Sequence, residues 1–340
     1  MIPIVRNTDG VRMAEIDNYI SFIWTERFYD TGDFEIVVPI TEQNIELLKR
    51  NNYIQRDCTN DIGIIEKVEL NDNQMIVSGR FLTSILGRRI VENQTEFRNK
   101  SIYNVIERLI LDNFTNPDDL KREIPIEIYN DTEALNEVIS TQYTGDNILK
   151  VLNELAEYYH FGFKIIDSSN RQNLLTFQLY LYEGTDRSGS VIFSNDLDNL
   201  KSIKYCENDG DYVNAVLVAG EGEGKDRKKY WGNFTDSTGL NRYEVFKDAR
   251  NISSNNGEIT HDAYYGMLKD EAVKSYSEFQ TVLNADVFTK YYKYREDFKV
   301  GDKILIKYKR WGIDCTLRIV EITETMNDSG EYAIHLTFAS

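Results

Sequence analysis

Cysteine, proline, histidine and long apolar runs are all scarce in this chain, and each shortage excludes a class of protein. There are 3 cysteines in 340 residues, and Cys58, Cys206 and Cys315 stand singly with no C-x-x-C pairing. An odd, dispersed set argues against a disulfide framework or a zinc ribbon and indicates a reduced compartment. No stretch approaches the ~18 uninterrupted apolar residues of a membrane-spanning helix, and the opening "MIPIVRNTDGVRM" lacks the apolar core of a signal peptide. The expectation is a chain made and folded in the cytoplasm, with no membrane insertion of its own. Basic charge is short as well: 39 Lys and Arg face 56 Asp and Glu, a net charge of −17. Such a field repels phosphate backbones and anionic lipid, which argues against tight nucleic-acid binding.

What is abundant is aromatic. With 22 tyrosines, 16 phenylalanines and only 4 prolines, the composition favours half-buried extended surfaces over a helical bundle, so the chain is expected to be β-rich with some helix. Its length suits two or three domains of roughly 100–200 residues each. Residues 1–92 read as antiparallel strands, with "NDNQ" turning "IGIIEKVEL" into "MIVSGR" and a short helix in "TEQNIELLKR". From 101 the period changes. Ser101 can cap a helix with Ile102, Ile106, Leu109 and Ile110 on one face, and Asp146 a second with Ile148, Leu152, Leu155 and Tyr159. Strands "FGFKIID" and "LLTFQLYLYEG" complete an α+β unit over 93–187. Strands return over 188–259, and a helical segment over 260–282 opens at Thr260 with Asp262 in its first turn. Its expected face is Tyr265, Leu268, Ala272, Tyr276 and Phe279. Residues 283–340 are again β.

The two ends resemble each other. "NNYIQRD" followed by "IGIIEKVELNDNQMIVSG" parallels "VGDKILIKYKR" followed by "CTLRIVEITETMNDSGEYAIHL": a strand, a longer strand, an Asn-Asp turn and a last strand. Unrelated hairpins share such features, so that reading stands beside the sharper one, an internal duplication with the α+β unit inserted between the copies.

No catalytic motif survives inspection. The stretch "NAVLVAGEGEGKDRKKYW" places Gly220, Gly222, Gly224 and Lys225 after a strand, as a phosphate loop would. Ala219, however, occupies the first glycine position of a Walker loop, Asp226 that of the magnesium-binding hydroxyl, and Lys225 the third glycine of a dinucleotide loop. Glu221 and Glu223 would also face any phosphate. The better reading is an exposed hairpin arm, Gly220, Gly222, Gly224, Lys225, Arg227, Lys228 and Lys229, whose cations meet an acidic neighbour. His160, His261 and His335 lie far apart with no H-E-x-x-H or G-x-S-x-G context, so no catalytic, cofactor or metal site is expected. "TKYYKYRED" offers Tyr291, Tyr292 and Tyr294 as aromatics of a tyrosine-faced strand at a protein interface. Aromatics and carboxylates together leave a carbohydrate-binding or carbohydrate-active protein as the alternative class.

"FIWTERFYDTGDFEIVVPITEQNIELLKRNNYIQR", "IGIIEKVEL" and "VSGRFLTSILGRRIV" resemble the opening of tail-associated, baseplate-hub proteins of phages infecting Gram-positive bacteria. Trp24, Arg27, Gly32, Phe34, Pro39, Ser78, Gly79, Leu82 and Leu86 carry the resemblance. "VLVAGEGEGKDR" and "VGDKILIK" are similar to later parts of that family. The resemblance implies two related tail-tube-like β-barrel domains, 1–92 and 188–259 with 283–340, together with the α+β domain and the helical insertion. It implies a homotrimer whose barrels form a six-membered ring continuing the tail tube at the virion tail tip, assembled in the host cytoplasm. Implied partners are the distal tail protein, the tape-measure protein and receptor-binding or lytic tail components, with DNA only as cargo passing through the bore. Lytic domains in such proteins follow the last barrel, whereas this sequence ends at Ser340, so a non-enzymatic hub is expected.

Overall fold

The computed structural model describes all residues except 58, 170–174, 278–279, 289 and 340, with the backbone alone of Gln280. Strand accounts for 43% and helix for 22%, which is the β-rich α+β class expected. Cys58 and Phe279 fall outside the described residues.

The two ends of the chain build one sheet. From one edge its strands run Leu200–Asn208, Gln280–Val287, Tyr332–Ala339, Ile313–Asn327, Ser21–Arg27, Asp33–Pro39, Gln74–Arg80 and Lys67–Asn71, with Lys303–Tyr308 and Ile192–Ser194 branching from Ile313–Asn327. Alternation explains the burial. Phe22 and Trp24 on one strand and Phe34, Ile36 and Val38 on the next point into one core. The long strand Ile313–Asn327 joins the two ends. Its first part pairs with Lys303–Tyr308 and its last with Ser21–Arg27, and the register shifts between Ile319 and Glu321, where it passes from one to the other. An irregularity there lets one strand serve two differently inclined neighbours. Beyond it lies a second core around Phe28, Phe193, Phe298, Ile322 and Phe338.

The likeness between the chain ends holds only in part. The last segment has one 15-residue strand where the first has two, Ile62–Ile64 and Lys67–Asn71, in different sheets. Ile62–Ile64 joins a four-stranded sheet with Tyr53–Arg56, Pro3–Arg6 and Arg12–Glu15. The break falls where Gly79 passes close to the chain: a Cβ on Gly79 would lie 1.8 Å from the Ile64 carbonyl oxygen. Trp24 packs on Phe81 with ring centroids 4.3 Å apart, and the residues that carried the family resemblance around it are core and close-approach positions.

The inserted unit pairs Thr95–Ser101 with Val138–Tyr143 and packs helices Ile102–Ile110 and Ile148–Tyr159 on a sheet of Ile126–Asp131, Phe177–Tyr182 and Gly162–Asp167. Ser101 caps the first helix as expected. The second is capped by Asn147, whose Oδ1 accepts from Lys150 N, and not by Asp146. Asp146 is used one turn earlier, accepting from Thr144 N at 2.8 Å to close the bend at Gly145. Not every pairing is antiparallel, since Ile126–Asp131 with Phe177–Tyr182 and Ile192–Ser194 with Lys303–Tyr308 run parallel.

Residues 213–277 differ most from expectation. Ala215–Ala219 lies between Lys229–Asn233, antiparallel, and Glu244–Asp248, parallel, and helix His261–Lys274 covers one face of the three strands. The expected division at 259/260 therefore does not separate two packing units, because Val216 and Val218 point at Tyr264, Met267 and Leu268 and share their core. The helix face is also shifted. Tyr264 and Met267 are buried while Tyr265 is half-buried, and Tyr276 lies beyond the helix end at Lys274.

Candidate functional site

Charged side chains collect where the first, inserted and last units meet. Strand period decides who faces whom. Glu26 and Glu324 lie on the inward face of neighbouring strands, directly opposite the core residues Ile322 and Trp24, Arg56 reaches across from the four-stranded sheet, and Lys164 comes from the inserted unit's sheet. Glu324, 1% exposed, accepts from Arg56 Nη2 at 2.8 Å and from the Tyr332 hydroxyl at 2.5 Å on Oε1, and its Oε2 forms an ion pair with Arg295 Nη1 at 2.8 Å. Arg295 also pairs with Glu26, and Lys164 Nζ lies 2.9 Å from Asp61. Nearby, Arg27 bonds Glu321 at 2.7 Å and Arg187 bonds Asp302 at 2.8 Å. Several of these pairs join residues more than 260 positions apart, so they staple the two ends of the chain.

The electrostatics are those of paired opposite charges. Burial would raise the Glu26 carboxyl, but Arg295 and Lys164 outweigh it and hold it below the ordinary value. Burial would lower Lys164, yet Asp61 and Glu26 push it up, so it stays an ammonium and offers no nucleophilic amine. Asp61 moves the other way, raised by burial despite Lys164. Beside the cluster opens a cleft of about 720 Å³ floored by Tyr129, Tyr180 and Tyr182. These rings stack at 5.6 and 5.2 Å, and the Tyr180 hydroxyl donates to Asp131 at 3.0 Å. Nothing in the composition or motif pattern marked this junction. Its members come from segments as distant as those of Glu26 and Glu324, and the packing of three sheets and the turn at Arg295 against one another brings them together.

The glycine stretch folds back on its own unit. Gly220 is buried against Tyr264, whose oxygen a Cβ there would approach to 2.0 Å, and Tyr264 Oη accepts from Glu221 N at 2.7 Å. Gly222 and Gly224 take positive φ in a tight loop closed by Gly220 N to Lys228 O at 2.9 Å. Arg227 donates to the Ala219 and Gly220 carbonyls at 2.7 and 3.0 Å, and Lys228 pairs with Glu221 at 2.5 Å. The expected hairpin arm is a short turn between Ala215–Ala219 and Lys229–Asn233, and two of its four cations serve it internally. Lys225 and Lys229 are exposed. "TKYYKYRED" is likewise no strand; its described residues form turns. Tyr292 packs edge-on against Phe193 at 5.6 Å, Tyr294 lies 5.7 Å from Phe298 beneath the Arg295 guanidinium, and Tyr291 is 51% exposed. The loop uses two of its tyrosines to cover the end of the second core.

His335, Asp286 and Ser202 meet on neighbouring strands in an arrangement unlike a catalytic triad. The Ser202 hydroxyl donates to Asp286 at 2.6 Å and His335 Nδ1 pairs with the same carboxylate. A triad requires the serine on the histidine's other nitrogen. Among the described residues no group of three or more His, Cys, Asp or Glu could hold a metal, and no helix is long and apolar enough to cross a membrane.

With this geometry in place, the chain was compared with known proteins. The family model described as Siphovirus ReqiPepy6 Gp37-like protein matches residues 3–338. No curated protein sequence matches. Among solved structures, the tail protein from Neisseria meningitidis MC58 aligns with a TM-score of 0.61 at 13% identity, over 100% of this chain and 96% of that one. The 43 kDa tail protein of prophage MuSo2 from Shewanella oneidensis gives 0.60 at 12%, over 99% and 98%. Prophage tail protein gp18 from Listeria monocytogenes EGD-e gives 0.57 at 11%, over 100% and 94%. At such identities the likeness establishes the fold.

Proposed function

The chain belongs to the Siphovirus ReqiPepy6 Gp37-like family of phage tail proteins, and from that premise we propose that it is a non-enzymatic structural hub of the tail tip. Three copies close into a ring whose barrel-like units, two per chain, continue the tail tube. The observation that carries the reading is the shared sheet. Pairing of Ser21–Arg27 with Ile313–Asn327 sets the first and last units side by side, as a ring with two related units per copy requires, and buried ion pairs lock the angle between them. The distal tail protein, the tape-measure protein and a receptor-binding or lytic component are the proposed neighbours above, within and below. The charge of −17 suits a bore whose carboxylates keep passing DNA off the wall.

Light scattering on the purified chain across a concentration range tests the reading. A mass of three chains is expected, with a ring visible by negative-stain microscopy. A monomer at every concentration, alone and with the distal tail protein, would sink it.

A further inference from the structure

The small unit at 213–277 carries a surface that the hub reading leaves unused. Helix His261–Lys274 covers one face of its sheet. On the opposite face Trp231, Leu217 and Phe246 are direct cross-strand partners, forming an apolar row across all three strands. Trp231 is 42% and Phe246 54% exposed, and Leu240, in the turn leading to Arg242, is 97% exposed. Arg242 lies over the Trp231 ring at 5.2 Å and Arg227 over Phe246 at 5.5 Å. Aromatics set among arginines, on an exposed apolar row, are the composition of a protein interface core.

Charge selects the occupant. Residues 225–250 contain seven Lys and Arg against four Asp and Glu, five against four once Lys228 and Lys247 are set against Glu221 and Glu271, whereas the rest of the chain contains 32 against 52. A net-positive face on an otherwise acidic chain repels its own equivalent and attracts the remainder of another copy. Contact between two different surfaces of identical chains is heterologous, and heterologous contacts build rings and not two-fold dimers. The inserted unit supplies a counterpart: a groove of about 620 Å³ lined by five carboxylates, of which Glu92, Glu96 and Asp112 are paired with Arg122, Arg98 and Arg108 while Glu107 and Asp118 are left to meet a partner's cations.

We propose that the Trp231–Leu217–Phe246 face docks on this acidic groove of a second copy and is one of the contacts that close the ring. The inference rests on the hub reading and deepens it. The test is light scattering on the full chain, comparing wild type with Trp231→Ala/Phe246→Ala and with Arg242→Glu, folding being checked by circular dichroism. Each variant is expected to raise the half-assembly concentration at least tenfold, and adding Glu107→Lys to Arg242→Glu is expected to recover part of the loss. A trimeric wild type with variants that assemble equally well overturns the docking face and leaves the hub intact; a wild type that never assembles overturns the hub itself. Should the double variant misfold, a photo-crosslinker on Leu240→Cys in a Cys58→Ser/Cys206→Ser/Cys315→Ser background decides, since Leu240 is almost fully exposed. Adducts within residues 92–118 of another copy are expected, and adducts only elsewhere, or none in the assembled protein, overturn the proposal.

Discussion

The sheet shared by the two chain ends and the small unit at 213–277 use similar strands and treat their aromatic residues in opposite ways. In the shared sheet Trp24, Phe22 and Phe34 are essentially inaccessible and charged side chains are buried in pairs between units. In the small unit Trp231 and Phe246 stand outside, and arginines lie over them. Its attachment is also lighter, running through helix His261–Lys274 against Val138–Tyr143 and bonds such as Ser140 N to Asp270 at 2.7 Å. The contrast separates two tasks of a scaffold protein. One region fixes its own geometry, while the other keeps binding surface available.

The largest expected effect breaks that contrast at its two tryptophans. Trp24→Ala removes a fully buried ring system and is expected to cost about 3–5 kcal/mol of unfolding free energy in a denaturant titration. Trp231→Ala, at a half-exposed position, should cost under about 1 kcal/mol, so equal losses would erase the distinction. Next comes the junction. Glu324→Ala leaves Arg56 and Arg295 facing each other without their carboxylate, and removing one partner of a buried pair costs roughly 3 kcal/mol or more. A loss near zero would show that water reaches the joint and that it does not fix the angle between the units.

Much of this was legible beforehand, and the failures have physical causes. Helix starts at Thr41, Ser101 and Thr260 were readable because a cap is a local device, a hydroxyl three residues ahead of a free amide. The Asn71–Gln74 hairpin was readable for the same reason. Gly220, and the strand expected through Tyr291, Tyr292 and Tyr294, were misread because their meaning is tertiary. A glycine before a basic run looks the same whether it opens an exposed arm or leaves room for the Tyr264 ring. The charged junction could not be read at all, since Glu26, Arg56, Lys164, Arg295 and Glu324 belong to five separate segments, four in three different sheets and one in a turn, that meet only through tertiary packing.

The smallest effect sharpens the comparison through pH. Glu26 is held below its ordinary value in the folded protein by Arg295 and Lys164 against the opposing effect of burial. Its contribution is therefore fully present above the unfolded value, near ~4.3, and is lost as pH falls through the lower folded value. Asp61 has the opposite sign. Burial raises it, so its contribution is full below its unfolded value and fades as pH rises through the folded one. The two oppose each other within a single cluster, and the acid limb of wild type should be shallower than Glu26 alone would make it. Glu26→Gln should flatten that limb further, Asp61→Asn should steepen it, and both are read from denaturant midpoints between about pH 3 and 7. The small unit has its own lowered carboxylate in Glu271, where Lys274 outweighs burial, but it lies on that unit's own helix and not between chain ends. Glu271→Gln should therefore change the acid limb of the small unit's own unfolding and leave the junction's untouched. A common shift of both transitions would mean that the two regions unfold as one body and that their contrast is confined to the surface.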